Sequence, residues 1–271
     1  MCLIALAWDV HPRFDLVLAA NRDEFLDRPA AALHRWPEGI VAGRDLRAGG
    51  TWCGFTDAGR LAMLTNVRRP GAVLPDAPSR GEIVPQWLLG GADAACFCDA
   101  LAAARHNPFN LLAADLVRGE FFWTGTDHPA PHALRPGVHG LSNAALDTPW
   151  PKTVQLKQDL AQALQRYDDV EPLIDALLLA LSDRTPAPDA ALPSTGVPLE
   201  VERYLSSVFI ERPHYATRCS TVLVRERESR RLVAVELTHG PKPFRTQVEL
   251  PRWPAEPAVK VTGWANGSHR P

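Results

Sequence analysis

The first 22 residues constrain the fold more than any other part of the chain. Residues 2–8 (CLIALAW) are apolar at both alternating positions, as in a strand that is buried on both faces. Residues 9–13 (DVHPR) include a proline and predict a turn. Residues 14–22 (FDLVLAANR) predict a second strand, so the two segments are expected to form a β-hairpin.

Charged residues end the second strand of this hairpin. Antiparallel pairing would place Arg22, Asp23 and Glu24 level with the start of the first strand, next to Cys2. Two interpretations stand side by side. The four residues form a binding or catalytic site, or the charges are a solvated cluster of small energetic worth beside a cysteine that only begins a strand.

The rest of the chain predicts further strands and helices. Alternating apolar patterns predict strands at 59–66, 110–117, 120–124, 137–142, 219–225, 231–238 and 243–249. Apolar stripes at helical spacing predict helices at 81–90, 92–105, 152–167 and 170–182. Strands at both ends with helices between them indicate an α+β fold of sheets covered by helices. A single domain over residues 1–271 is expected, with the Pro-rich segment 184–198 as an internal connector.

Composition excludes several classes of protein. The formal net charge of −2 lacks the clustered Lys and Arg of a nucleic-acid binder, and the short run 68–70 (RRP) is read as a solvated turn. The apolar start is interrupted at Asp9 and His11, too early for a secretory signal. Without an apolar stretch of about 18 residues, no membrane span is expected. A cytoplasmic location follows as the expectation.

Cysteine and histidine spacing predicts no metal site and no cofactor. The five cysteines form no CxxC pair, which favours a reducing compartment; they are Cys2, Cys53, Cys96, Cys98 and Cys219. His128 and His132 lie among prolines and are expected in a solvated loop. The glycine-rich segment 42–52 lacks the phosphate-loop spacing and predicts a tight turn.

Cys2 acquires a distinctive chemistry if Met1 is removed. The new first residue would carry a thiol and an α-amine, whose ordinary pKa values are near 8.5 and 7.7–8.0. The amine can then act as general base for the thiol beside it, as in enzymes with an N-terminal threonine nucleophile. Such a site needs no histidine.

Other polar residues could support this nucleophile. Arg22 would lower the pKa of the thiol. Asn66 and Asn143 follow predicted strands and could donate hydrogen bonds to an oxyanion, while Arg218 could hold substrate or thiolate. Each asparagine could equally be an ordinary turn residue.

Several sequence blocks together resemble a known family. They are MCLIALAW, LVLAANRDEF, AGRDLRAGGTW, GRLAMLTNVR, SRGEIV, FNLLAAD, GLSNAALDTPWPK, LPSTGVPLEVERYLSSVFI and YATRCSTVLV. With these blocks the chain resembles the NRDE-motif family, also called the transport and Golgi organisation protein 2 family. The resemblance extends from residue 2 to about residue 240.

This resemblance implies a four-layer αββα sandwich of the N-terminal nucleophile (Ntn) hydrolase type, with antiparallel sheets. It is similar to the cysteine amidases, which implies Cys2 as nucleophile supported by Arg22, Asn66, Asn143 and Arg218. Those amidases carry an Asp three residues after the strand Arg, where this chain has Phe25. The charge partner of the amine is therefore left open, with Asp23 and Glu24 as binding candidates.

Two functions follow from the resemblance. The first is hydrolysis of a linear amide C–N bond in a small acylated substrate. The second is non-catalytic binding or trafficking of haem or an acylated lipid metabolite on the same scaffold.

Overall fold

Two antiparallel β-sheets form the centre of the protein. Its structure is a computed structural model, which describes residues 2–72 and 74–255. Within these residues the strands are β1 Cys2–Trp8, β2 Phe14–Phe25, β3 Ala30–Arg35, β4 Ile40–Asp45, β5 Cys53–Thr56, β6 Arg60–Asn66, β7 Phe109–Asp115, β8 Glu120–Gly125, β9 His128–Ala133, β10 Gly137–Leu141, β11 Tyr215–Glu226, β12 Leu232–Thr238 and β13 Phe244–Leu250. The α-helices are α1 Ile83–Leu89, α2 Ala94–Ala103, α3 Pro151–Arg166, α4 Val170–Ala180 and α5 Leu199–Leu205.

The strands divide into a six-stranded and a seven-stranded sheet. The six-stranded sheet has the order β10-β1-β2-β11-β12-β13, and the seven-stranded sheet runs β3-β4-β5-β6-β7-β8-β9. Strand β1 therefore lies inside its sheet, paired with β10 on one side and β2 on the other.

Three hydrophobic cores define four layers. The core between the two sheets brings Ile4 and Leu6 of β1 against side chains such as Phe55 and Met63 of the other sheet. A second core packs the opposite face of β1 and β2 against α3 and α4. A third packs the seven-stranded sheet against α1 and α2 around the fully buried Trp87. The predicted four-layer αββα sandwich with antiparallel sheets is thus confirmed.

The predicted hairpin is also confirmed. Its register runs from Cys2 opposite Arg22 to Trp8 opposite Leu16. Both sides of β1 are apolar because alternate side chains enter different cores: the even positions face the second sheet and the odd positions face the helices.

Some local predictions are wrong. Residues 128–133 form the edge strand β9 rather than a loop, although His128 and His132 are exposed as expected. Arg68, assigned to a solvated turn, is buried in an ion pair with Glu202. The strands β3, β4 and β5 and the helix α5 were not predicted at all. Through the part of the chain that is described, no helix combines the length and the apolar character needed to cross a membrane.

Candidate functional site

A cavity of about 310 Å³ opens where β1 begins and β2 ends. Six of the seven residues predicted for the site line it, namely Cys2, Arg22, Asp23, Glu24, Asn66 and Arg218. The seventh, Asn143, is buried and does not line it. The cavity wall also carries three further arginines and two further acids, namely Arg28, Arg44, Arg80, Asp45 and Glu236.

Strand pairing brings the central pair together. Cys2 and Arg22 lie opposite each other in the β1–β2 register and belong to the alternating positions that face the second sheet. Both are buried, with exposed fractions of 7% for Cys2 and 8% for Arg22. The apolar residues that continue each strand fix this arrangement, because a one-residue slip would turn both side chains to the opposite face.

Arg22 shares its positive charge with acidic neighbours. Its Nη2 lies 3.3 Å from Oδ2 of Asp45 and 3.6 Å from Oε2 of Glu24. Its Nη1 is buried and has no hydrogen-bond partner among the described residues. The N–H groups of this Nη1 are therefore left without an acceptor among the described residues.

Asp45 is a functional candidate that the sequence analysis missed. Its Oδ1 accepts hydrogen bonds from the backbone amides of Arg47 and Ala48, which fixes the predicted tight turn, and its Oδ2 lies 2.5 Å from Nε of Arg28. Burial acts to raise its pKa, but Arg28 and the backbone amides outweigh burial and hold that pKa below the ordinary value. The glycine-rich segment was read only as a turn, whereas it also supplies the anion that faces Arg22.

The Cys2 thiol is not activated in this form of the chain. Burial raises its pKa to about 11, and the nearby charge of Arg22, which acts in the expected direction, does not compensate. A neutral thiol is a poor nucleophile, so turnover requires a base beside it or a change in its surroundings.

Asn143 lies outside the cavity wall and is hydrogen-bonded to Asn66, which lines it. The side-chain Nδ2 of Asn143 donates a hydrogen bond of 2.8 Å to the backbone carbonyl of Asn66. The backbone carbonyl of Asn143 accepts a hydrogen bond of 2.8 Å from the backbone amide of Arg68. Ser142 Oγ donates to Oδ1 of Asn143 and to the carbonyl of Cys2, at 3.1 and 3.2 Å. Of the two asparagines, Asn66 alone is placed to meet a ligand in the cavity, while Asn143 positions Asn66.

Arg218 shapes the cavity mouth. A bulge between Thr217 and Cys219 interrupts the β11–β2 ladder and re-aims the intervening side chain. Nη1 of Arg218 then donates to the backbone carbonyls of Phe25, Leu26 and Arg28, at 2.8, 3.2 and 3.2 Å. These contacts tie the turn after β2 to β11.

Glu236 is a second residue that the sequence analysis missed. It is 3% exposed, and its Oε1 accepts a hydrogen bond of 2.7 Å from the amide of Leu33, which joins β12 to β3 of the other sheet. Burial raises its pKa. Its position in a strand of otherwise apolar residues was the available signal. Across residues 2–72 and 74–255, no His, Cys, Asp and Glu side chains are grouped as a metal site would require.

A further polar group surrounds Asp23, which also lines the cavity. Thr217 Oγ1 donates a 2.7 Å hydrogen bond to Oδ1 of Asp23, and the hydroxyl of Tyr215 donates to the backbone carbonyl of Asp23. Lys152, the second residue of α3, is also buried, and burial lowers its pKa to about 8 although the charge of Asp23 acts to raise it. Burial raises the pKa of Asp23, whereas Lys152 acts to lower it.

Comparison with known proteins places the chain in a family. The sequence profile described as Transport and Golgi organisation 2 matches residues 1–239. The chain belongs to this family. Among its curated relatives, the Transport and Golgi organization protein 2 homolog of Bos taurus is 37% identical over 245 residues, covering 83% of this chain and 88% of the relative. The homolog of Homo sapiens is 33% identical over 246 residues, covering 83% of this chain and 88% of the relative.

A solved structure outside this Transport and Golgi organisation 2 family was also matched. It is a Caenorhabditis elegans N-acylethanolamine-hydrolyzing acid amidase ortholog, with a TM-score of 0.45 and 14% identity, covering 82% of this chain and 92% of the other.

Proposed function

We propose that this protein is an N-terminal nucleophile hydrolase of the cysteine type, which cleaves a linear amide C–N bond in a small acylated substrate. One observation carries the proposal: Cys2 begins an interior strand and faces Arg22 in the wall of a cavity. The cavity volume of about 310 Å³ is at the lower end of the range for ligand sites, which suits a small substrate.

The reaction begins when Met1 is removed and Cys2 becomes the first residue. The α-amine of Cys2 takes the thiol proton, and the sulfur attacks the substrate carbonyl carbon to form a C–S bond. The C–N bond then breaks, and the departing amine receives the proton from the α-ammonium group. Water, deprotonated by the same amine, then attacks the thioester carbon. The C–S bond breaks, the acid is released, and the thiolate takes the proton back from the α-ammonium group.

The surrounding residues have distinct roles in this scheme. The Nη1 group of Arg22 and the side chain of Asn66 are candidate donors to the oxyanion of the tetrahedral intermediate. Arg218 shapes the turn at the mouth, and Asn143 holds Asn66. Because burial raises the pKa of the Cys2 thiol to about 11 in the form described, attack depends on the adjacent free amine.

The test combines processing and turnover. Mass spectrometry of the purified full chain should find Met1 absent, and a panel of N-acyl amides should include a substrate that the protein hydrolyses. Cys2→Ala should abolish both hydrolysis and covalent labelling of this residue by iodoacetamide. Cys53→Ala is the matched control, because Cys53 is also buried between the sheets but does not line the cavity. Retained Met1, or equal activity in both variants, would contradict the proposal.

A second candidate is a non-catalytic carrier of haem or an acylated lipid metabolite in the same cavity, because several arginines line the cavity and can pair with acidic groups of such a ligand. Titration with haem and with an acyl-CoA, followed by absorbance and tryptophan fluorescence, separates the two functions. A carrier binds saturably, forms no product and binds equally well after Cys2→Ala. Absence of any saturable signal would remove this candidate.

A further inference from the structure

The proposed reaction assigns no role to Arg80, one of the arginines in the cavity wall. Arg80 is half-buried and begins the short 3-10 turn Arg80–Glu82, which leads into α1. Within the described residues its guanidinium pairs with no carboxylate, and its one hydrogen bond runs from Nη1 to the backbone carbonyl of Pro108, at 3.0 Å. Because a guanidinium carries five N–H donors, most of them remain available to a ligand or to water.

The other arginines of the wall are engaged by the protein itself. Arg22 and Arg28 share the carboxylate of Asp45, at 3.3 and 2.5 Å. Arg44 stacks at 4.3 Å on a tryptophan ring, and Arg218 is held by three backbone carbonyls. Among the described residues, the guanidinium of the 3-10 turn therefore has the fewest partners in the wall.

Positive charge exceeds negative charge along the cavity wall. The charged residues that line it are five arginines and four acids, namely Arg22, Arg28, Arg44, Arg80 and Arg218 beside Asp23, Glu24, Asp45 and Glu236. A concave site lined by an excess of one charge attracts ligands of the opposite charge. The cavity is therefore suited to an anion.

Arg80 lies close to a residue that is proposed to stabilise the oxyanion. The backbone carbonyl of Pro108, which binds Nη1 of Arg80, also accepts a hydrogen bond of 3.1 Å from the amide of Val67. Val67 directly follows Asn66, which lines the cavity. The shared acceptor keeps the guanidinium near the end of β6 that carries Asn66, within reach of a ligand bound there.

We propose that Arg80 binds a carboxylate of the substrate, so that the small acylated substrate of this cavity is an anion. This inference rests on the proposed function, because it takes this cavity as the substrate site. A guanidinium presents two parallel N–H groups that match the two oxygens of one carboxylate. The same carboxylate would offset the excess positive charge of the wall. A substrate analogue with a primary amide in its place loses the charge and one of the two acceptor oxygens.

The experiment measures binding by isothermal titration calorimetry, using the full chain with Cys2→Ala so that the probes are not hydrolysed. Two pairs of probes place the carboxylate on either side of the amide bond. They are N-butyrylglycine with N-butyrylglycinamide, and N-propylsuccinamic acid with N-propylsuccinamide. In at least one pair the acid should bind about tenfold more tightly than its neutral partner. The pair that shows this preference identifies which part of the substrate carries the carboxylate.

Substitution of Arg80 tests the assignment. Arg80→Met should abolish the preference and leave binding of the neutral probe unchanged, whereas Arg80→Lys, which keeps the charge, should retain part of the preference. Arg69→Met is the matched control, because Arg69 is paired with Asp127 at 2.6 Å and does not line the cavity. It should keep the full preference.

Several outcomes would overturn the inference. Equal binding of acid and neutral probe in both pairs does so without any variant of Arg80, and so does the absence of binding by all four probes. A preference that survives Arg80→Met in a folded protein also overturns it.

None of these measurements depends on hydrolysis or on the removal of Met1. A preference for the acid without hydrolysis by the wild-type chain would count against the proposed reaction alone. Hydrolysis of N-acyl amides with no preference for the acid would count against the role of Arg80 alone.

Discussion

Arg22 faces Cys2 across the β1–β2 pair, but its guanidinium is bound to Asp45 of the neighbouring turn. The thiol therefore receives only part of the positive field that strand pairing alone would give it. Asp45 thus limits how strongly Arg22 can stabilise a thiolate.

Replacing Asp45 should lower the pKa of the Cys2 thiol. In Asp45→Asn, Arg22 and Arg28 lose a shared carboxylate, so the pKa of Cys2 is expected to fall by about 1 unit. The measurement is the pH dependence of Cys2 alkylation by iodoacetamide. Asp57→Asn, which breaks the exposed pair with Arg35, is the control and should leave that dependence unchanged. A Cys2 profile that moves to higher pH in Asp45→Asn would disprove this role.

The buried Arg68–Glu202 pair should show strong coupling. Glu202→Gln leaves Arg68 as an uncompensated buried charge, and a loss of about 3 kcal/mol in the free energy of unfolding is expected. Adding Arg68→Met should recover part of that loss, as urea unfolding of the two single variants and the double variant would measure. Arg203→Met, which breaks an exposed pair with Asp189, is the control and should change the free energy of unfolding far less. Additive effects of the Arg68 and Glu202 changes would argue against the buried pair.

A pH-dependent contact fixes the loop that carries Asn143. Nδ1 of His139 lies 2.9 Å from Oδ2 of Asp147, and this contact raises the pKa of His139. Asp147 experiences burial, which acts to raise its pKa, but His139 and Lys157 outweigh burial and lower it to about 2.

The sign of the pH effect follows from these two shifts. The contribution of His139 is complete below its unfolded pKa of about 6.5 and is lost as pH rises through the higher folded value. The contribution of Asp147 to the free energy of unfolding is fully present above its unfolded pKa of about 3.9 and is lost as pH falls towards 2. His139→Asn should therefore destabilise the protein by about 1 kcal/mol near pH 5 and by less at pH 8. Urea unfolding at both pH values measures this, with the exposed His34→Asn as control; a larger loss at pH 8 would contradict the assignment.

Gly50 should tolerate no side chain. A Cβ at this position would overlap the backbone carbonyl of Gly81, against which the turn packs through the Thr51 amide. Gly50→Ala is expected to cost about 2 kcal/mol and to displace the residues 79–81 that line the cavity. Thermal unfolding and ligand titration would measure these effects. Gly91→Ala, with open space around its Cβ, is the control and should be close to neutral.

The parts of the fold that the sequence predicted share a physical cause. β1 and β2 were predictable because both of their faces enter apolar cores, which leaves a pattern that few other structures produce. β3 was not predicted because it is partly exposed, and β4 and β5 were not because they adjoin the glycine-rich segment 42–52, which was read as a turn; β5 is also short. Short strands gain their stability from neighbouring strands, and one sequence does not reveal those partners.

The site was predictable only where chemistry and pairing coincide. Cys2, Arg22 and Glu24 could be brought together from the hairpin register alone. Asp45 and the burial of Lys152 could not, because both depend on packing between segments that are far apart in sequence. A lysine near the start of a helix is normally solvated, and only the packing of α3 on β1 reveals its burial.

The interior position of β1 has a practical consequence for recombinant protein. Its first residue, Cys2, pairs with Arg22 of β2 and lines the cavity, so a group attached to the α-amine of Cys2 begins at the cavity wall. An amino-terminal affinity tag would abolish the free amine while leaving the fold and the thiol in place. Activity assays on protein with such a tag would measure only the form without a free α-amine at Cys2. A carboxyl-terminal tag leaves that amine available.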